Sequence, residues 1–74
     1  MKEKVLEVIA QALEVEPERI TEKSLIRDIE EWDSLAQLSV IAALEEQLKI
    51  KIPFDKVLEM EGVHDIITFI EGTK

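Results

Sequence analysis

The chain has 74 residues, 17 acidic against 9 basic for a net charge of −8, 46% hydrophobic residues, two glycines, two prolines and no cysteine. That length suits a single domain over 1–74, near the size at which one core only just offsets chain entropy; the apolar content predicts a folded chain, and the absent cysteines exclude disulfides and thiolate zinc sites. The acidic balance opposes nucleic acid and anionic membrane surfaces, no apolar run approaches the roughly 20 residues of a membrane span, and Met1-Lys2-Glu3-Lys4 leads into an amphipathic pattern rather than a signal core, so a cytoplasmic protein is expected.

Residues Lys2 to Leu13 place Val5, Val8, Ile9, Ala12 and Leu13 at i, i+3, i+4, i+7 and i+8, one buried stripe of an α-helix. Pro17 disfavours helical geometry at Glu16, and the polar run Thr21-Glu22-Lys23-Ser24 reads as connection, so a long loop follows. A long loop in a compact domain must be tied down, and Ile20, Leu25, Ile26 and Ile29 are the residues able to pin it. A second helix is predicted from Ser34 to Leu48, an unbroken run of strong helix formers that ends before Ile50-Lys51-Ile52 and Pro53. Its apolar pattern is wider than a core needs. Gln37, Val40, Ile41, Leu44 and Leu48 form one stripe, and Leu35, Leu38 and Ala42 a second beside it. Either the second stripe is a partner surface or the long loop covers it.

Pro53 suits a helix start, and Phe54 to Met60 makes a short third helix with Val57 and Leu58 inward. Glu61-Gly62 ends it. Val63 to Ile70 repeats the amphipathic spacing with Val63, Ile66, Ile67 and Ile70, Phe69 adds bulk, and Gly72 marks the stop. No segment alternates with period two. The expected fold class is all-α: a four-helix bundle of three main helices plus a short third one, with a long loop between the first two.

Only one segment looks like a site. In Trp32-Asp33-Ser34-Leu35 a serine stands where an acidic loop gives way to the second helix. A hydrolase or transferase built on Ser34 needs a base, and His64, the one histidine, comes with no orienting group. Glu30 with Glu31 and Glu45 with Glu46 are adjacent and therefore diverge, and no glycine turn with alternating oxygen ligands offers a cation loop. No catalytic residue and no metal site are expected. From Asp28 to Leu48 there are six acids (Asp28, Glu30, Glu31, Asp33, Glu45, Glu46) and no lysine or arginine, which is either an electronegative surface steering basic partners or a solvated loop and helix end.

Two capping arrangements are open at Ser34. Ser34-Leu35-Ala36-Gln37 fits a capping box, in which the serine hydroxyl and the Gln37 side chain satisfy first-turn donors. If Asp33 caps instead, the Ser34 hydroxyl is free to face solvent, and a phosphate bonded to it sits at the positive end of the helix dipole.

The order of a helix, a long loop, Asp33-Ser34-Leu35, a helix ending Ala43-Leu44-Glu45-Glu46-Gln47-Leu48, then Ile50-Lys51-Ile52-Pro53, a short helix and a final helix resembles the acyl carrier protein family over essentially the whole chain. The resemblance implies a carrier rather than an enzyme. In such a carrier a phosphopantetheinyl transferase attaches 4′-phosphopantetheine from coenzyme A to Ser34, flanked by Asp33 and Leu35, and the arm's thiol carries acyl groups as thioesters. It further implies a monomer that docks acyl-activating enzymes, acyltransferases or synthases through the helix after the serine, here Leu35, Ala36, Leu38, Ser39, Ala42, Glu45 and Glu46. Between its first two helices such a bundle shelters an acyl chain, with Val5, Ile9, Leu44 and Ile66 as candidate lining.

Three departures qualify the likeness. Housekeeping fatty acid carriers usually have acids where this chain has Ala36 and Ser39. The loop Asp28-Ile29-Glu30-Glu31-Trp32-Asp33 is one residue longer than usual, lacks the customary glycine and carries a tryptophan, which either anchors the loop by packing or meets a partner. Trp-Asp-Ser-Leu looks more like specialised stand-alone carriers. The expected function is thus an acyl carrier for a specialised fatty acid, polyketide or secondary pathway; an aminoacyl or D-alanyl carrier and an unmodified helical interaction protein are the alternatives.

Overall fold

A computed structural model describes residues 2–72, so residues 1, 73 and 74 of the expected 1–74 domain lie outside the described residues. Four helices follow one another: α1 (Lys2–Leu13), α2 (Ser34–Leu48), α3 (Phe54–Glu59) and α4 (Val63–Gly72). The first two have the bounds expected from the sequence, α1 from its apolar periodicity and α2 from its run of helix formers. No strand occurs among the described residues, and the chain is the expected all-α bundle of three main helices and one short one.

α1 lies chiefly against α2 and also meets α4. Ile9, Leu44, Ile66 and Ile70 are the largest fully buried side chains, and burying each contributes about 1.5–3 kcal/mol. In α1 the stripe runs through Val5, Val8, Ile9 and Leu13 as expected, but Ala10 is buried where Ala12 is half-buried. The buried face of α1 is therefore centred slightly differently from the expected stripe. In α3 Val57 is buried, but Leu58 is 70% exposed, contrary to expectation. Adjacent helical residues diverge by about 100° in azimuth, so a six-residue helix resting on one side cannot turn both inward.

Both long helices end in left-handed turns without glycine. Glu14 (φ 61) and Lys49 (φ 57) occupy the left-handed region. Val15 N donates to Ala10 O at 3.0 Å and Ile50 N to Glu45 O at 3.2 Å, the bonds of a Schellman close. Half-buried Val15 and Ile50 then pack on the core, which offsets the cost of a side chain at positive φ.

The long loop is ordered by ties along its length. It contains two 3-10 turns, Pro17–Arg19 and Ile26–Asp28. Ile20 is fully buried, while Leu25, Ile26 and Ile29 are half-buried. Lys2 Nζ pairs with Glu22 at 2.9 Å, and Arg19 grips Glu31. At its middle the loop is strapped to the junction of α3 and α4: Ile26 N donates to Glu61 O and Val63 N to Ser24 O, both at 3.0 Å, around a bridge between Leu25 and Gly62.

Candidate functional site

Ser34 is the first residue of α2 and is exposed. The cap is Asp33, in extended geometry, whose Oδ1 accepts from Ala36 N at 2.8 Å. Of the two arrangements that the sequence permits, the Ser34 capping box is the one not adopted. The Ser34 hydroxyl consequently makes no hydrogen bond among the described residues, and the N–H groups of Ser34 and Leu35 have no acceptor there either. A free hydroxyl and two free donors stand together at the positive end of a fifteen-residue helix.

Trp32 is 4% exposed and belongs to the core, so its role as a loop anchor is met. Its indole Nε1 donates to Gln37 Oε1 at 2.6 Å. This satisfies a buried polar group, and it occupies the side chain that a Ser34 capping box would have used. Sequence reading places Gln37 in a stripe and in a candidate capping box, and misses this bond. A buried tryptophan five residues ahead of a glutamine is a weak signal.

Beside Ser34 an open groove of about 510 Å³ runs between the loop, α2 and α3, lined by Ile26, Trp32, Gln37, Leu38, Phe54, Val57, Leu58 and Met60 among others. Leu38 (56%), Phe54 (67%) and Leu58 (70%) give it an apolar, exposed rim, and Leu35 (77%) stands exposed three residues before Leu38 on α2. The loop leaves the Leu35, Leu38 and Ala42 stripe uncovered, and α3 extends it with Phe54 and Leu58. Those two residues were absent from the docking set read from α2 alone.

The other expected docking residues divide. Ser39 and Glu46 are exposed, whereas Ala36 is half-buried against the core. Glu45 is half-buried too, and its Oε2 accepts from Ile52 N at 2.8 Å, fastening the connection between α2 and α3. Its charge is thereby partly committed to the fold. Val5, Ile9, Leu44 and Ile66 are all fully buried in the core.

The acidic stretch is also less bare than the sequence suggests. Arg19 meets Glu31 through two bonds of 2.7 and 3.0 Å. The hydrogen bonds from Arg19, reinforced by its charge, hold the Glu31 carboxyl below its ordinary 4.5, and Glu31 raises Arg19 in turn. A depressed folded-state value means that the pair's contribution is fully present above about pH 4.5 and is lost as pH falls through the lower folded value. Both groups are solvated, so the contribution is small. The expected result is that Glu31→Gln melts slightly below the wild type at pH 6 and that the gap closes below pH 4.5. Calorimetry of both proteins across that range measures it; a gap that widens toward acid would contradict the assignment.

His64 lies away from this groove, with its Nε2 3.5 Å from Thr68 Oγ1 on α4. Among the described residues no group of three or more histidine, aspartate or glutamate side chains is placed to hold a metal ion, and no helix is long and apolar enough to cross a membrane.

Residues 3–70 match the protein-family model described as a phosphopantetheine attachment site. The chain is 33% identical over 69 residues to an acyl carrier protein of Phenylobacterium zucineum, spanning 93% of this chain and 87% of that one. It is 29% identical over 70 residues to the polyketide-8 synthase acyl carrier protein 1 of Streptomyces avermitilis, spanning 90% and 83%. In fold it is similar to the solution structure of a holo acyl carrier protein from Geobacter metallireducens, with a TM-score of 0.85 at 22% identity over 96% of this chain and 82% of that one.

Proposed function

Given that the chain belongs to the acyl carrier protein family, whose members are carriers rather than enzymes and bear 4′-phosphopantetheine, we propose that Ser34 Oγ is the attachment point. The observation that carries this is the exposed, unbonded Ser34 hydroxyl at the first position of α2, left free because Asp33 does the capping. The surroundings fit a phosphate: the N–H groups of Ser34 and Leu35 are unclaimed and the helix dipole favours negative charge there. When bound, the arm supplies the thiol that carries acyl groups as thioesters. The chain's own part is to hold the serine outward, to satisfy the phosphate and to present an apolar landing surface. That surface comprises Leu35, Leu38 and Ala42 with Phe54 and Leu58 beside them, and Ser39 and Glu46 at its margin.

Phosphopantetheinyl transferase and acyl-loading enzymes are the partners, in the cytoplasm where coenzyme A is supplied. A specialised pathway suits the surface better than housekeeping fatty acid synthesis. Ala36 and Ser39 are uncharged, Glu45 is engaged by Ile52 and Glu31 by Arg19, so recognition falls chiefly to apolar contact. The likeness to a polyketide synthase carrier points the same way.

Incubation of the full chain with coenzyme A, magnesium and a broad-specificity phosphopantetheinyl transferase is expected to add one phosphopantetheinyl group to the wild type and none to Ser34→Ala, read by intact mass. An adduct that persists on Ser34→Ala, or no adduct on the wild type, overturns the proposal.

A further inference from the structure

We propose that Trp32 and Gln37 are positioning residues for the modification of Ser34, joined by the 2.6 Å bond from the indole Nε1 to Gln37 Oε1. This inference rests on the reading of Ser34 as the attachment point.

Asp33 is the N-cap of α2, which makes Trp32 the residue before the cap and Gln37 the fourth residue of the helix. Those two positions are the ones that a hydrophobic staple joins across a helix start, where contact between them fixes the angle at which the chain arrives. Here the staple is a hydrogen bond anchored at one end in the core, since the Trp32 ring is 4% exposed. Three ties therefore close one short turn: Trp32 to Gln37 at 2.6 Å, Ala36 N to Asp33 Oδ1 at 2.8 Å, and Gln37 N to Asp33 O at 2.9 Å. Ser34 and Leu35 lie inside that turn and carry none of the ties, so they are held on its outer, solvent side.

The clamp also decides between the two caps. A Ser34 capping box requires the Gln37 side-chain oxygen to turn back and accept from the Ser34 N–H. With that oxygen engaged by a buried indole, the competing arrangement loses its acceptor, and Ser34 Oγ stays available as the nucleophile: its oxygen bonds to the phosphorus that bears the pantetheine arm, the pyrophosphate P–O bond of coenzyme A breaks, adenosine 3′,5′-bisphosphate leaves, and the serine proton passes to the transferase. Holding a nucleophile in one orientation acts on the chemical step rather than on association. The apolar surface that a transferase would touch, Leu35 and Leu38, is not part of the clamp.

The test uses the full apo chain, coenzyme A and a broad-specificity phosphopantetheinyl transferase, with Gln37→Ala, Trp32→Phe, the double variant and Gln37→Glu. Trp32→Phe keeps a ring but removes the donor; Gln37→Glu keeps an acceptor. Each single loss variant is expected to lower kcat about tenfold with KM within about twofold of wild type. The double variant falls no further than the worse single, because both remove one bond, and Gln37→Glu stays within about twofold of wild type. Amide exchange at Ala36, bonded to Asp33 inside the turn, is expected to quicken about fivefold in the loss variants, a readout that needs no modification. Wild-type kcat in Gln37→Ala, a loss confined to KM, or additive losses overturn the clamp. If the wild type itself gains no adduct, the reading of Ser34 fails and exchange at Ala36 alone decides: unchanged protection in Gln37→Ala overturns the clamp, and quickened exchange supports it.

Discussion

Leu38→Arg is expected to reduce the kcat/KM of a phosphopantetheinyl transferase about thirtyfold, through KM, while the melting temperature stays within about 2 °C of wild type. Leu38 is 56% exposed at the centre of a patch that also includes Leu35 at 77%, Phe54 at 67% and Leu58 at 70%. Four large apolar side chains left in water on two neighbouring helices are not required by the core, which closes without them. Their burial against a partner is where binding free energy is to be gained. A central residue of such a patch contributes about 2 kcal/mol, and 1.4 kcal/mol corresponds to tenfold, which gives the stated factor. Leu38→Arg replaces that gain with a charge whose desolvation the partner must offset. Because α2 stays intact, the helical signal in circular dichroism is expected to match wild type. A variant that unfolds would show that Leu38 supports the core, and one with unchanged KM would show that docking lies elsewhere. The effect on KM also separates this surface from the Trp32 and Gln37 clamp, whose removal acts on kcat.

What could be read from the sequence was what depends on neighbours along the chain. Val5, Val8, Ile9 and Leu13 fix α1 through period 3.6 alone, and a run of helix formers fixes α2 between Asp33 and Lys49. Ser34 stood out because little else had chemistry. Contacts between distant residues left no such mark. Arg19 reaching Glu31, Glu45 turning to the backbone of Ile52 and Trp32 meeting Gln37 are decided only when the loop folds onto the bundle. They alter what the sequence suggested: with Asp33 capping α2, three of the six acids between 28 and 48 are engaged rather than free. The left-handed closes at Glu14 and Lys49 that follow α1 and α2 were hidden for the opposite reason, since the expected sign was a glycine and neither position has one. Leu58 was misassigned because six residues give too short a pattern to fix which side of α3 faces inward.

Gly62→Ala is expected to lower the melting temperature by about 10 °C. Gly62 does not have positive φ, so its need for glycine is one of space rather than of dihedral freedom. A Cβ there would lie 2.8 Å from Ser24 O and 3.0 Å from Leu25 Cδ2. The leucine methyl can turn aside, but the Ser24 carbonyl cannot, because it already accepts from Val63 N at 3.0 Å in the strap that ties the loop to α4. Relief of the contact therefore means moving the loop backbone away and loosening that bond together with the one from Ile26 N to Glu61 O. Two backbone hydrogen bonds contribute about 1 kcal/mol each, and forcing a methyl into closed space costs a further ~1 kcal/mol. Against this, alanine restricts the unfolded chain and returns about 0.4–1 kcal/mol. The balance is a loss of about 2 kcal/mol, which for a domain of this size corresponds to the stated shift. Amide exchange at Ile26 and Val63 should quicken well before exchange at buried Val8 or Leu44, since the strap opens while the core of α1 and α2 stays closed. A melting temperature within about 2 °C of wild type, with Val63 still protected, would mean that the loop absorbs the methyl without releasing the strap.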